Sequence, residues 1–99
     1  MRIVIVDDEP LARERLRRMI EAFPGCDVVG EAGDGASALD CVNDTSADTV
    51  LLDVHMPGMD GLQVARQLAC ADVPPAVIFV TAHSEHAPSA APRTNLLPA

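Results

Sequence analysis

Four short apolar runs, each stopping on an acid or a hydroxyl, alternate along this chain with helix-length amphipathic segments. No other feature constrains the fold as much. Ile3-Val4-Ile5-Val6 is β-branched throughout and runs into Asp7-Asp8. Thr49-Val50-Leu51-Leu52 ends on Asp53, and Ala76-Val77-Ile78-Phe79-Val80 ends on Thr81. Continuous apolar runs of this length read as strands buried on both faces. Asp27-Val28-Val29-Gly30-Glu31 is a weaker run and reads as a more exposed strand.

The intervening segments read as helices. Pro10 suits a first helical turn, where no N–H partner is required. Ala12, Leu16, Met19, Ile20 and Phe23 then fall on one helical face, and Arg13, Glu14, Arg17, Arg18 and Glu21 occupy much of the other. Glu14 precedes Arg17 and Arg18 in the order that favours ion pairing along a helix. Pro24-Gly25 ends the segment. Asp34 is the expected N-cap of a short helix carrying Ala38, Leu39 and Val42. Asp60 is the expected cap of a helix carrying Leu62, Ala65 and Leu68, and Pro74-Pro75 stops it. The order β-α-β-α-β-α-β predicts an α/β fold, a doubly wound parallel sheet with helices on both faces and right-handed crossovers. Beyond His86 the periodicity stops. The last 13 residues hold three prolines and predict a Pro-rich, unstructured tail over 88–99 behind a domain at 1–87.

Charge and cysteine usage exclude several functions. The 99 residues include seven arginines, no lysine and 15 acids, for a net charge of -8. A nucleic-acid-binding face needs clustered basic excess, so no direct nucleic-acid partner is expected. The apolar runs are far short of the roughly 20 residues that span a bilayer. They are also too short for a secretory h-region. Cys26, Cys41 and Cys70 form no CxxC pair, which predicts free thiols in a reducing cytoplasm rather than a disulfide framework or a zinc site.

In doubly wound folds, ligands bind beyond the carboxyl ends of the strands at the topological switch point. Asp7 and Asp8 follow the first strand and Asp53 ends the third. If those strands are neighbours, three carboxylates converge and repel one another. A hard divalent cation such as Mg²⁺ relieves that repulsion through oxygen ligands. An aspartate held in this way can act as a nucleophile toward a phosphoryl group. Thr81, ending the fourth strand, stands where its hydroxyl would reach phosphoryl oxygens. A single acid at a strand end is more often a cap or a solvated loop residue. Three at matching strand ends, with a hydroxyl at a fourth, favour a site.

Ile5-Val6-Asp7-Asp8-Glu9-Pro10, the block from Leu51 through Asp53-Val54-His55-Met56-Pro57-Gly58-Met59-Asp60 to Gly61, and Phe79-Val80-Thr81-Ala82 resemble the receiver domain of two-component response regulators. The likeness covers roughly residues 1–87. The stretches VDDEPLARERL (6–16) and PPAVIFVTAHSEHA (74–87) resemble the LytTR-type regulators in particular. The resemblance implies a flavodoxin-like fold with strand order 2-1-3-4-5. It implies that Asp53 accepts a phosphoryl group from a sensor histidine kinase. Asp8 and Asp53, with the backbone carbonyl of His55, would bind Mg²⁺, and Asp7 would act through water. Thr81 would be the switch hydroxyl, with Ala82 the small neighbour that leaves room for the phosphoryl group. The new charge would bias a loop or helix near Thr81. A cytoplasmic location goes with this role.

The chain departs from the family pattern at its far end. A receiver has a fifth βα unit, whose strand is followed by a Lys-Pro pair and often carries a switch aromatic. Here the last aromatic is Phe79 and the only later cation is Arg93, whose planar guanidinium does not reproduce a compact ammonium. The expectation is a receiver truncated after the fourth strand, with four βα-type units present and the fifth strand and helix missing. The strand at 76–80 would then be an exposed edge open to self-association. Two alternatives stand beside the phosphoacceptor reading. One is a truncated, non-signalling remnant. The other is a Mg²⁺-dependent aspartyl phosphohydrolase, which needs a second acid two residues after the nucleophile, where this chain has His55. Arg13, Arg15, Arg17 and Arg18 make the first helix locally basic, either as a solvated face or as a kinase-docking surface. His83, Glu85 and His86 have metal-ligand spacing only if helical, and a loop or frayed end is the preferred reading.

Overall fold

The computed structural model describes residues 1–54 and 61–81, the side chain of Thr81 excepted, and the backbone of 96–98. Elements follow one another as β1 (Arg2–Val6), α1 (Pro10–Glu21), β2 (Asp27–Ala32), α2 (Gly35–Thr45), β3 (Thr49–Asp53), α3 (Gly61–Ala69), β4 (Ala76–Thr81) and β5 (Leu96–Pro98). The sheet order is β2-β1-β3-β4-β5, and every pairing is parallel. This is the flavodoxin-like order, with β1 and β3 central.

Alternation along the central strands divides the core in two. Ile3, Ile5, Leu51 and Val80 point to one face, where Leu16 and Ile20 of α1 cover them. Val4, Val6, Val50 and Leu52 point to the other, against Ala38 and Val42 of α2 and Val64 and Leu68 of α3. Side chains such as Ile5 and Leu52 are fully enclosed, each contributing roughly 1.5–3 kcal/mol. Aliphatic residues carry this core, as a chain with two phenylalanines and no other aromatic requires. At the far end of the sheet the Arg2 N–H donates to both Asp48 carboxylate oxygens (3.1 and 3.2 Å) and the terminal ammonium to the Gly25 carbonyl (2.6 Å), which fixes the start of β1.

Helix α1 is rotated relative to the expected face. Ala12, Leu16 and Ile20 are buried, but Met19 and Phe23 are exposed. The rotation has an electrostatic partner. Arg13 and Arg17 turn toward β2 and share Glu31, at 3.2 and 2.6 Å. That swings Met19, on the opposite flank, into solvent, while Phe23 lies past the C-cap at Ala22. Of the two expected Glu14 pairs, only that with Arg18 forms (2.7 Å), because Arg17 is taken by Glu31 and Glu21. In α2 the Asp34 carboxylate accepts from the Ser37 N–H at 2.8 Å, the expected N-cap. In α3 the buried row is Gly61, Val64 and Leu68, and Leu62, expected inside, is exposed. The row begins at Gly61 because that is where the helix meets the end of β3.

The expected end of the sheet also needs correction. The fifth strand is not missing: Leu96–Pro98 pairs in parallel with Phe79–Thr81, so part of the 88–99 tail is ordered as a strand. Leu96–Pro98 covers backbone groups on that edge of β4, and a proline is tolerated in β5 because it is an edge strand. The free edge of β4 thereby narrows from 76–80 to Ala76–Ile78 among the described residues. No helix follows β4 among the described residues. Nor is any described helix long and apolar enough to cross a membrane.

Candidate functional site

Register brings the acids together. Val6 pairs with Leu52, so the next residues, Asp7 and Asp53, emerge side by side from the carboxyl ends of β1 and β3. Asp8 follows in the β1–α1 loop. One carboxylate oxygen from each of Asp7, Asp8 and Asp53 lies within 4.8 Å of the others. Asp7 and Asp53 are buried and Asp8 is exposed, so the cluster has an enclosed floor and an open side.

Asp7 is held at three points. Its N–H donates to the Ala32 carbonyl (3.1 Å), its Oδ1 accepts from the Glu9 N–H (2.9 Å), and its carbonyl accepts from Arg13 Nη1 (2.7 Å). Burial pushes its carboxyl above the usual carboxylate range. The Glu9 N–H opposes that shift, and the negative charges of Asp53, Asp8 and Glu9 add to it. Three carboxylates thus crowd one strand end, and their mutual repulsion weighs on Asp7. An all-oxygen donor set of three carboxylates with excess negative charge is what Mg²⁺ takes, and the site fits that ion.

Gly61 closes one wall. A Cβ built there would lie 2.6 Å from the Asp53 carbonyl oxygen and 2.9 Å from the Val54 Cα, so only glycine lets α3 come this close to the strand end. Sequence reasoning placed Gly61 in the motif without giving it a role. Its signal is position: a glycine opening a helix that must pack on the strand bearing the central acid. Glu31 was likewise read only as a strand-end acid, and Arg13 only as one of several helix cations.

Of the expected site residues, the structure brings Asp7, Asp8 and Asp53 together. Thr81 ends β4 one residue beyond Val80, the partner of Asp53, and its side chain lies outside the described residues. His55, Met56, Met59, Asp60, Ala82, His83, Glu85, His86 and Arg93 also lie outside them. Of the arginines on α1, Arg13, Arg17 and Arg18 are engaged in ion pairs and Arg15 is not, among the described residues. Arg15 stands with the exposed Leu11 and Met19 on the outward face.

Comparison with known proteins agrees with this architecture. The family model for the response regulator receiver domain matches residues 3–91. The positive alginate biosynthesis regulatory protein of Pseudomonas aeruginosa is 52% identical over 88 residues, covering 88% of this chain and 36% of that protein. A probable transcriptional regulatory protein NarL of Mycobacterium tuberculosis is 44% identical over 87 residues, covering 88% of this chain and 40% of that one. The solved signal receiver domain of the M. tuberculosis response regulator NarL superposes with a TM-score of 0.76 at 44% identity, covering 83% of this chain and 66% of that one. The chain therefore spans well under half the length of these curated relatives.

Proposed function

The chain belongs to the response regulator receiver domain family, and from that premise we propose that Asp53 accepts a phosphoryl group from a sensor histidine kinase in a Mg²⁺-dependent step. The observation that carries this reading is the convergence of Asp7, Asp8 and Asp53 within 4.8 Å at the end of β1 and β3.

Each residue has a chemical part. A carboxylate oxygen of Asp53 attacks the phosphorus, the P–N bond of the phosphohistidine breaks, and the electron pair leaves with the imidazole. An acyl phosphate forms on Asp53 and the kinase histidine is released. Catalysis of this kind rests on positioning and charge neutralisation. Asp8 and Asp53, with the His55 carbonyl, would hold Mg²⁺, and Asp7 would bind its water; the ion supplies charge neutralisation for the incoming phosphoryl oxygens. Thr81 would donate to a phosphoryl oxygen, and Ala82 would leave it space. Gly61 keeps α3 packed on the Asp53 backbone, so the acceptor cannot retreat.

The outward face of α1, with Leu11, Arg15 and Met19, is the surface offered to the kinase. An apolar patch beside a cation that forms no ion pair among the described residues suits a partner interface. A LytTR-type affiliation of this chain is part of the same proposal, with the 52% identity to the alginate regulator in its support. A cytoplasmic site of action follows from that role, and self-association through β4 would be confined to Ala76–Ile78. The test is intact mass after incubation with Mg²⁺ and acetyl phosphate. One phosphoryl adduct, absent in Asp53→Asn and absent without Mg²⁺, is expected. An unmodified wild-type protein, or an adduct retained in Asp53→Asn, contradicts the reading.

A further inference from the structure

We propose that Arg13 is a positioning residue for the metal-binding acids, acting through the main chain of Asp7 and braced by Glu31. The inference rests on the Mg²⁺ site proposed above.

Arg13 sits in the first turns of α1, directly after the loop that carries Asp7 and Asp8. Its guanidinium spans two elements. Nη1 donates to the Asp7 carbonyl at 2.7 Å, and Nε donates to Glu31 at 3.2 Å on β2. A planar guanidinium with donors on separate nitrogens can make both bonds at once in fixed relative orientation. The site is also tight. A Cβ at Gly33 would come within 3.3 Å of Nη1, so the β2–α2 connection packs closely against the guanidinium. Arg17, one turn on, reaches the same Glu31 at 2.6 Å but has no contact with Asp7 among its hydrogen bonds.

This arrangement divides labour between two arginines. Both fasten α1 to β2 through Glu31. Only Arg13 reaches on to the strand end that presents the acids. With the Asp7 N–H on Ala32 and its Oδ1 on Glu9, the Arg13 bond fixes the peptide that leads into Asp8. Groups that orient metal ligands from behind commonly change metal affinity by about 10–100-fold when removed. Arg13 works at the low end of that range, because its bond is to backbone rather than to a ligand oxygen.

The test uses the full chain and titrates Mg²⁺ calorimetrically, with the thermal midpoint measured on the same samples. Arg13→Ala weakens Mg²⁺ binding by about tenfold. Arg13→Lys recovers part of that loss, since an ammonium can donate to the Asp7 carbonyl but lacks the rigid fork of separate nitrogens that also holds Glu31. Arg17→Ala lowers the thermal midpoint as much as Arg13→Ala and leaves Mg²⁺ affinity at the wild-type value. Equal effects of the two alanine variants on Mg²⁺ affinity, or an unchanged affinity in Arg13→Ala, overturn the positioning role. If the wild type binds Mg²⁺ but takes no phosphoryl group, the phosphoacceptor reading fails while the Arg13 comparison still decides. If the wild type binds no Mg²⁺, both fall.

Discussion

Gly61 lies so close to Asp53 that a single added carbon would sit 2.6 Å from the Asp53 carbonyl oxygen. The atoms it would strike are backbone on both sides, so neither can rotate away. The first residue of α3 therefore sets how closely that helix backs the strand that ends on Asp53.

Gly61→Ala must push α3 off the end of β3. Overpacking at a buried position typically costs about 1–3 kcal/mol, and the backbone neighbours place this substitution in the upper half of that range. Urea unfolding of Gly61→Ala is expected to show a lower midpoint than wild type. Uptake of a phosphoryl group from acetyl phosphate should fall with it. An unchanged midpoint would mean that α3 does not press on Asp53.

Asp7 gives a pH dependence with a definite sign. Its carboxyl is raised in the folded protein by burial and by neighbouring negative charge. Folding thus favours the protonated form, and the contribution of Asp7 to stability is present at low pH and lost as pH rises through the folded value. Without Mg²⁺, Asp7→Asn is expected to be more stable than wild type at neutral pH. The difference should shrink as pH falls into the carboxylate range. Thermal midpoints of the two proteins across pH check this. Asp34 and Asp48 have lowered values and titrate in both proteins, so they cancel in the comparison.

Mg²⁺ should reverse that order. An ion bound only to the folded chain stabilises it by about 2.7 kcal/mol at a hundred times its dissociation constant. The wild type is expected to gain a higher thermal midpoint in saturating Mg²⁺, and Asp7→Asn to gain less. A rise of the same size with Ca²⁺ and Mg²⁺ in both proteins would point to diffuse screening rather than to this site.

The faces of α3 provide a packing test. Leu68 is buried and Leu62 is exposed. Leu68→Ala should cost about 2–5 kcal/mol, whereas Leu62→Ala should stay within about 0.5 kcal/mol. Equal losses in chemical denaturation would restore Leu62 to the core.

Much of this was legible from residue order alone. Strand ends on Asp7 and Asp53 depend only on where apolar runs stop, whereas the adjacency of the two strands came from the resemblance to receiver domains and its strand order. The strand ranges of β1 and β3 likewise followed from the apolar runs. What escaped was set by tertiary contact. The turn of α1 that exposes Met19 goes together with Arg13 and Arg17 both reaching Glu31 on another element, which helix periodicity cannot register. Gly61 looked like part of a loop motif because its reason is the nearness of Asp53, eight residues earlier in sequence. The strand at Leu96–Pro98 was hidden by the prolines around it, since its pairing answers the open edge of β4 rather than any pattern of its own.

Asp53, and not Asp7 or Asp8, is the expected carrier of the phosphoryl group. Borohydride reduces an aspartyl phosphate to homoserine, which marks the acceptor within a peptide map. After exposure to Mg²⁺ and acetyl phosphate, homoserine is expected at position 53 alone, and at no position when Mg²⁺ is chelated. Homoserine at position 7 or 8, or none anywhere in a folded and Mg²⁺-bound protein, would contradict the account.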